Sequence, residues 1–136
     1  MQIRPLTATD AAAAVALWHA TGLTRPWNDP DTDFRRAVTG PESAVLGGTD
    51  DNGAIIATVM VGHDGHRGWV YYLAVAPEHR RRGIAGQLLR ACESWVQARG
   101  IPKIQLMVRR DNDAVLGLYE QLGYEESDVV VLGKRF

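Results

Sequence analysis

A single cysteine, Cys92, leaves the chain without the means to close an internal disulfide. No stretch approaches the ~18 consecutive apolar residues of a membrane span, because Gly, His or charge interrupts every candidate, and a span is excluded. Charge of neither sign is in excess: 15 Lys plus Arg against 16 Asp plus Glu give a formal net charge of −1. That balance argues against a chain whose main task is to wrap a nucleic-acid polyanion. Nothing near the N-terminus reads as a basic segment followed by a long apolar core, so a reducing, cytoplasmic setting is expected. No repeat or low-complexity tract appears, and no His, Cys or carboxylate cluster has metal-ligand spacing, so no metal is expected. What remains, at 136 residues, is the size of one domain able to bury its own core, expected to span 1–136.

Turn chemistry and periodicity place the elements. "QIRPL" (2–6) reads as a short edge strand with Pro5, and Thr9 or Asp10 then starts an alanine-rich helix running to about Ala20. "TGLTRPWNDPDTDF" breaks that helix with two prolines and restarts another near Asp31 to Val38. "SAVLGGT", "AIIATVMVGH" and "GWVYYLAV" follow as three consecutive antiparallel strands, with tight turns at Asn52-Gly53 and Asp64-Gly65. After Pro77 the period changes from 2 to 3.6, with Ile84, Leu88, Leu89, Cys92, Trp95 and Val96 along one helix face, and Gly100 and Pro102 closing it. "KIQLMV" predicts a buried strand, "DNDAVLGLYEQLGY" a helix starting near Asp111 or Asn112, and "DVVVLGKRF" a last strand. The order β-α-α-β-β-β-α-β-α-β predicts an α/β (α+β) domain, a mixed sheet with helices on its faces.

The densest positive charge, Arg80, Arg81 and Arg82, runs directly into Gly83, Ile84, Ala85 and Gly86 at the start of the helix. A helix's first turn has N–H groups without intrahelical partners and a partial positive charge, so strand, Arg-rich turn and small residues suit a phosphate cradle. Neither Gly-Lys-Ser/Thr nor G-x-G-x-x-G is present, so this is not one of the common nucleotide loops. The alternative is a solvated arginine loop whose glycines merely pack. Downstream, Asn112 and Tyr119 form a second constellation.

These two segments resemble the GNAT superfamily of acyl-CoA N-acyltransferases. "LAVAPEHRRRGIAGQLL" is similar to its R-x-x-G-x-A motif, here Arg80, Gly83 and Ala85, and "VRRDNDAVLGLYEQLGY" to the motif in which Asn is followed seven residues later by Tyr and then by Gly-Tyr or Gly-Phe. "RPWNDP" and "HDGHRG" further resemble the small bacterial YpeA-like acetyltransferases. The resemblance implies acetyl-CoA as acetyl donor, in a sheet splayed between its fourth and fifth strands. Backbone groups of Leu73, Ala74 and Val75 would pair with the pantetheine arm, and amides from Arg81 to Gly86 would bind the pyrophosphate. Asn112 would contact the cofactor arm, and Tyr119 would lie near the thioester sulfur.

Residue chemistry supplies roles of its own. A phenol with a pKa near about 10 stays protonated at neutral pH and can donate to a departing thiolate, which suits Tyr119; the alternative is a core aromatic beside Val115, Leu118 and Leu122. An alkylamine acceptor is mostly protonated at pH ~7 and must lose a proton. In the family it resembles, some members that acetylate protein N-termini carry a Glu where this chain has Met107, so that base is missing. A water relay ranks first, with His63, His66, Asp29 and Tyr72 as substitutes. Trp27, Asn28 and Asp29, with Tyr72, are the expected acceptor wall; alternatively Trp27 packs and Asp29 caps the next helix. Cys92 reads as an apolar filler. The expectation is an N-acetyltransferase for a small-molecule or protein amine, monomeric or homodimeric, with no nucleic-acid or membrane partner. Its competitor is a non-catalytic acyl-CoA-binding sensing or interaction module.

Overall fold

The structure, a computed structural model, describes residues 1–136. Its elements are β1 (Gln2–Pro5), α1 (Ala11–Ala20), α2 (Pro30–Thr39), β2 (Ser43–Thr49), β3 (Ile55–His63), β4 (Gly68–Val75), α3 (Ile84–Gln97), β5 (Ile104–Leu106) and α4 (Asp113–Gln121). The strands lie side by side in chain order; β1 to β4 are antiparallel neighbours and β5 runs parallel to β4. The turns form for the reasons their sequences suggest. Asp50 Oδ1 accepts from the amides of Asn52 and Ala54 while Gly53 takes φ +81°, and Asp64 Oδ1 accepts from His66 and Arg67 while Gly65 takes φ +86°.

Side-chain alternation along the strands divides the core into two layers. Val45 and Ala74 point into the layer with Leu17, Trp18, Phe34 and Ala37 of α1 and α2, while Leu46, Val59, Val61 and Val70 join Leu88, Leu89, Cys92 and Val96 of α3. Both faces of the middle strands are therefore covered, which explains why "SAVL" and "TVMV" read as nearly continuous apolar runs.

The local feature that positions the site is a bulge in β4. Met60 pairs with Tyr71 and Thr58 with Ala74, so Tyr72 and Leu73 together stand opposite Val59. Tyr72 has φ 53°, a left-handed backbone that is costly for a residue with a Cβ. Three contacts hold it there. Its ring stacks on Trp18 at 3.9 Å and 11°, its hydroxyl donates to Asp33 Oδ2 at 2.8 Å, and its carbonyl lies 3.4 Å from the hydroxyl of Thr58. Thr58, wholly buried, also accepts from Trp18 Nε1 at 2.8 Å. A bulge raises local twist and bends its strand. Here β4 pairs with β5 only over Gly68–Val70, and its second half leaves β5. This is the expected splay between the fourth and fifth strands.

One expected element does not form. The segment 125–136, predicted to close the sheet as "DVVVLGKRF", carries no strand, and none of its residues makes a hydrogen bond. Strand propensity needs a neighbouring strand to be realised. In the single chain the segment does not reach one.

Candidate active site

The chain enters α3 through two left-handed positions separated by one residue, Arg81 at φ 64° and Gly83 at φ 72°. Gly83 is the N-cap of α3, and a Cβ there would meet nothing within 4 Å, so the backbone conformation alone selects glycine. No amide from Arg81 to Gly86 donates to any group of the protein; the first bonds beyond them are Arg80 N–H to Pro77 O and Gln87 N–H to Gly83 O. Arg80, Arg81 and Arg82 are all exposed, in no ion pair; Arg82 Nη1 lies 3.3 Å from His79 Nδ1. A row of free N–H groups at a helix N-terminus, with three exposed arginines in the same turn, has the donors and the charge that suit an anion. The residues present fit a pyrophosphate.

The splay opens beside this turn. Leu73, Val75, Ile84, Val115 and Tyr119 pack in one cluster, so the second half of β4, the first turn of α3 and the inner face of α4 meet. Tyr119 is nearly buried, edge-on to Tyr124 with centroids 5.8 Å apart. Its hydroxyl has no partner in the chain and is not sealed from solvent. Burial, with the nearby Cys92 sulfur second, raises its pKa above the ordinary phenol value, which keeps it protonated. Asn112 is the N-cap of α4, its Oδ1 accepting from Val115 N–H at 3.4 Å, which leaves its NH₂ group for a ligand. Cys92 is wholly buried, and its thiol is pushed up to about 12, mainly by that burial, so it is a filler and not a nucleophile.

On the other face of the sheet a cleft of about 520 Å³ lies between α2 and the strands, lined by Asn28, Asp33, Arg36, Met60, Tyr71 and Tyr72 among others. Of the four residues expected there, Asn28 and Tyr72 line it. Asp29 does not: its Oδ1 accepts from Thr32 N–H at 3.1 Å and starts α2. Trp27 lies outside the lining, half exposed, under the Arg135 guanidinium at 5.6 Å. Tyr72 is raised to about 12 by burial first and then by its bond to Asp33, so it is a donor and not a base. His63 is engaged on both nitrogens, Nε2 against the Glu42 carboxylate and Nδ1 accepting from Gly65 N–H, and His66 lies in the exposed turn. The residues that sequence reasoning missed are Asp33 and Arg36. Their signal was present: they share a helical stripe with the buried Ala37, where a charge is out of place unless it faces a cleft.

Residues 12–124 match the family described as the Acetyltransferase (GNAT) family. The chain belongs to that family. GNAT structures of the same shape include the aminoglycoside acetyltransferase AAC(6')-Iy in complex with a bisubstrate analogue, at TM-score 0.85 and 19% identity, covering 99% of this chain and 97% of that one. Ribosomal-protein-alanine N-acetyltransferase from Brucella melitensis biovar Abortus 2308 superposes at TM-score 0.77 and 23% identity, over 100% of both chains. Aminoglycoside 6'-N-acetyltransferase AAC(6')-IG from Acinetobacter haemolyticus gives 0.82 and 19%, over 100% of this chain and 99% of that one. At these identities the likeness is one of fold. As a GNAT protein the chain is an acetyltransferase, and no helix in it is long and apolar enough to cross a membrane.

Proposed function

We propose that this GNAT domain transfers acetyl from acetyl-CoA to a primary amine of a small molecule by direct attack. The observation that carries the proposal is the row of unengaged amides from Arg81 to Gly86 beside the splayed strands. In this reading they hold the pyrophosphate, with Arg80 to Arg82 around it, and Leu73, Ala74 and Val75 offer the unpaired edge of β4 to the pantetheine arm with Asn112 alongside. The neutral amine nitrogen attacks the thioester carbonyl carbon, the C–S bond breaks, the thiolate takes the Tyr119 hydroxyl proton, and the new amide nitrogen gives its surplus proton to water. Solvent then reprotonates Tyr119, whose hydroxyl is accessible. No covalent enzyme intermediate is involved, since no activated Cys or Ser lies at the site.

Acceptor recognition falls to the α2 cleft. The Asp33 carboxylate, held in place by the Tyr72 hydroxyl, attracts the ammonium, and ordered water carries away its proton, because His63, Asp29 and Tyr72 are all committed elsewhere. Arg36 lies one helical turn from Asp33 on the same wall. It favours an acceptor with an anionic or polar group beside the amine over a polycation. The solved relatives named for aminoglycosides support a small-molecule amine, and this charge pair distinguishes the present cleft from a purely anionic one. The YpeA-like affinity, and a cytoplasmic bacterial setting, belong to the same proposal.

Met107, where an acid would serve as base, supports the rival reading of a non-catalytic acyl-CoA-binding module. Thiol release with an amine panel separates the two, read for wild type and Tyr119→Phe. A catalyst loses rate about 10²-fold or more with little change in acetyl-CoA affinity. Wild-type binding without thiol release for any amine would establish the binding module.

A further inference from the structure

The acceptor cleft does not end at Tyr71. A second cavity of about 370 Å³ adjoins it, sharing Ser43 and Tyr71 with the first and lined further by Gly62, Asp64 and Trp69. Both open on the same face of the sheet because of the alternation along β4. Val70 packs in the α3 layer and a Cβ on Gly68 would abut Val96, so Trp69 and Tyr71 turn toward α2. Gly62 stands between Trp69 on one neighbouring strand and Ser43 on the other, and a Cβ there would come within 3.2 Å of the Glu42 carbonyl oxygen. A side chain at position 62 would fill the floor of the cavity.

The chemistry of this second cavity differs from that of the first. The first pairs Asp33 with Arg36, whereas the second is lined by two carboxylates, Asp64 and Glu42, and by no Lys or Arg. Its one histidine, His63, meets Glu42 through Nε2 and accepts from Gly65 N–H at Nδ1. Asp64 anchors its turn with Oδ1; Oδ2 has only Trp69 Nε1 at 3.4 Å, which leaves it open to a ligand. The amides of Arg67 and His66 hold its pKa below the ordinary carboxylate range, so the group is charged at neutral pH. A half-exposed tyrosine ring, an indole and an ionised carboxylate, with no cationic side chain among them, suit a cationic guest. A guanidinium suits them best, because it stacks on aromatic faces and pairs with carboxylates.

Resting on the acceptor reading above, we infer that the molecule acetylated is an α-amino acid with a basic side chain. Its amine lies at Asp33, its carboxylate at Arg36, and its distal cation against Asp64, Trp69 and Tyr71. The bulge fixes which end reacts: Tyr72 adjoins Leu73 to Val75, where the thioester arm is placed, and the second cavity lies toward the turn between β3 and β4, away from it. The lengths agree. Tyr72 and Trp69 are three residues apart on β4, about 10 Å, and an extended arginine spans roughly 8 Å from its α-nitrogen to its guanidinium. Each charge of such an acceptor meets an opposite charge along the trough.

Calorimetric titration of L-arginine and L-citrulline into the full chain tests the inference, because citrulline keeps the length of arginine and loses the distal charge. Arginine is expected to bind at least about 10-fold more tightly. A smaller ratio, or no binding of either at ~10 mM, overturns the inference. Agmatine, which lacks the carboxylate, should bind more weakly than arginine, and equal binding overturns the pairing with Arg36. Asp64→Asn, which keeps an Oδ1 acceptor for the turn, and Tyr71→Leu, at a half-exposed side chain, should each bring the arginine to citrulline ratio below about 3. With folding checked by circular dichroism, a ratio kept in either variant overturns it, and should both variants misfold, the three ligands on the wild type still decide. Binding is read without acetyl transfer. Thiol release with other amines but no preference for arginine removes this subsite and leaves the proposed reaction standing; selective arginine binding without thiol release leaves the subsite standing and removes the reaction.

Discussion

Replacing Thr58 with valine tests whether the β4 bulge is held in the way described. The two side chains are nearly the same size, so the change opens no cavity, but it removes the acceptor for Trp18 Nε1, a 2.8 Å bond between two residues with no solvent exposure. A buried donor left without a partner costs about 1–3 kcal/mol. The 3.4 Å contact to the Tyr72 carbonyl adds little by itself. For a domain of this size the loss corresponds to a fall in Tm of roughly 4–12 °C. Thermal and chemical denaturation measure it directly. The cycle with Trp18→Phe is more discriminating: once the indole N–H is gone, Thr58→Val should cost at least ~1 kcal/mol less than in the wild-type background. A loss below about 0.5 kcal/mol, or the same loss in both backgrounds, would refute the reasoning.

Three further outcomes are expected. Cys92 and Tyr72, each raised to about 12, and Tyr119 and Tyr124, also raised, keep their protons in the folded state while the unfolded chain gives them up near pH ~9–10. Stability is therefore fully present below pH ~9 and falls as pH rises toward the folded values, at about 1.4 kcal/mol per pH unit for Cys92 alone, and urea titrations should show Cys92→Ala losing the earliest part of that fall. Gly68→Ala should cost roughly 1–3 kcal/mol, since a Cβ there would sit 2.6 Å from Val96 Cγ2, and Val96→Ala should restore part of the loss in the same denaturation assay. Asp33→Asn should raise the amine KM in steady-state kinetics while leaving acetyl-CoA affinity unchanged, and parallel losses of both would contradict its placement in the acceptor cleft.

The parts of this fold that local chemistry determines were legible in the sequence. Asn52-Gly53 and Asp64-Gly65 carry their own turn residues, and the helix after Gly83 announces itself through period and charge. The bulge was not legible, because a tyrosine at positive φ leaves no mark in composition; contacts from Trp18, Thr58 and Asp33, all distant in sequence, impose it. Asp29 illustrates a related ambiguity: the carboxylate that starts a helix and the one that binds an amine look alike until geometry assigns Asp29 to Thr32 and Asp33 to the cleft. The closing strand expected over "DVVVLGKRF" does not form: the β-branched run that suggested it is real, but propensity becomes a strand only by pairing, and 125–136 pairs with no strand.

The central claim is that the free amides around Gly83 form an anion cradle for acetyl-CoA. Calorimetric titration of acetyl-CoA into wild type and Gly83→Glu tests it most directly, with folding checked by circular dichroism. The account predicts sub-millimolar binding to the wild type, weakened about 10-fold or more by a carboxylate at a position where the backbone also resists any side chain. Equal affinity in the two folded proteins would contradict it.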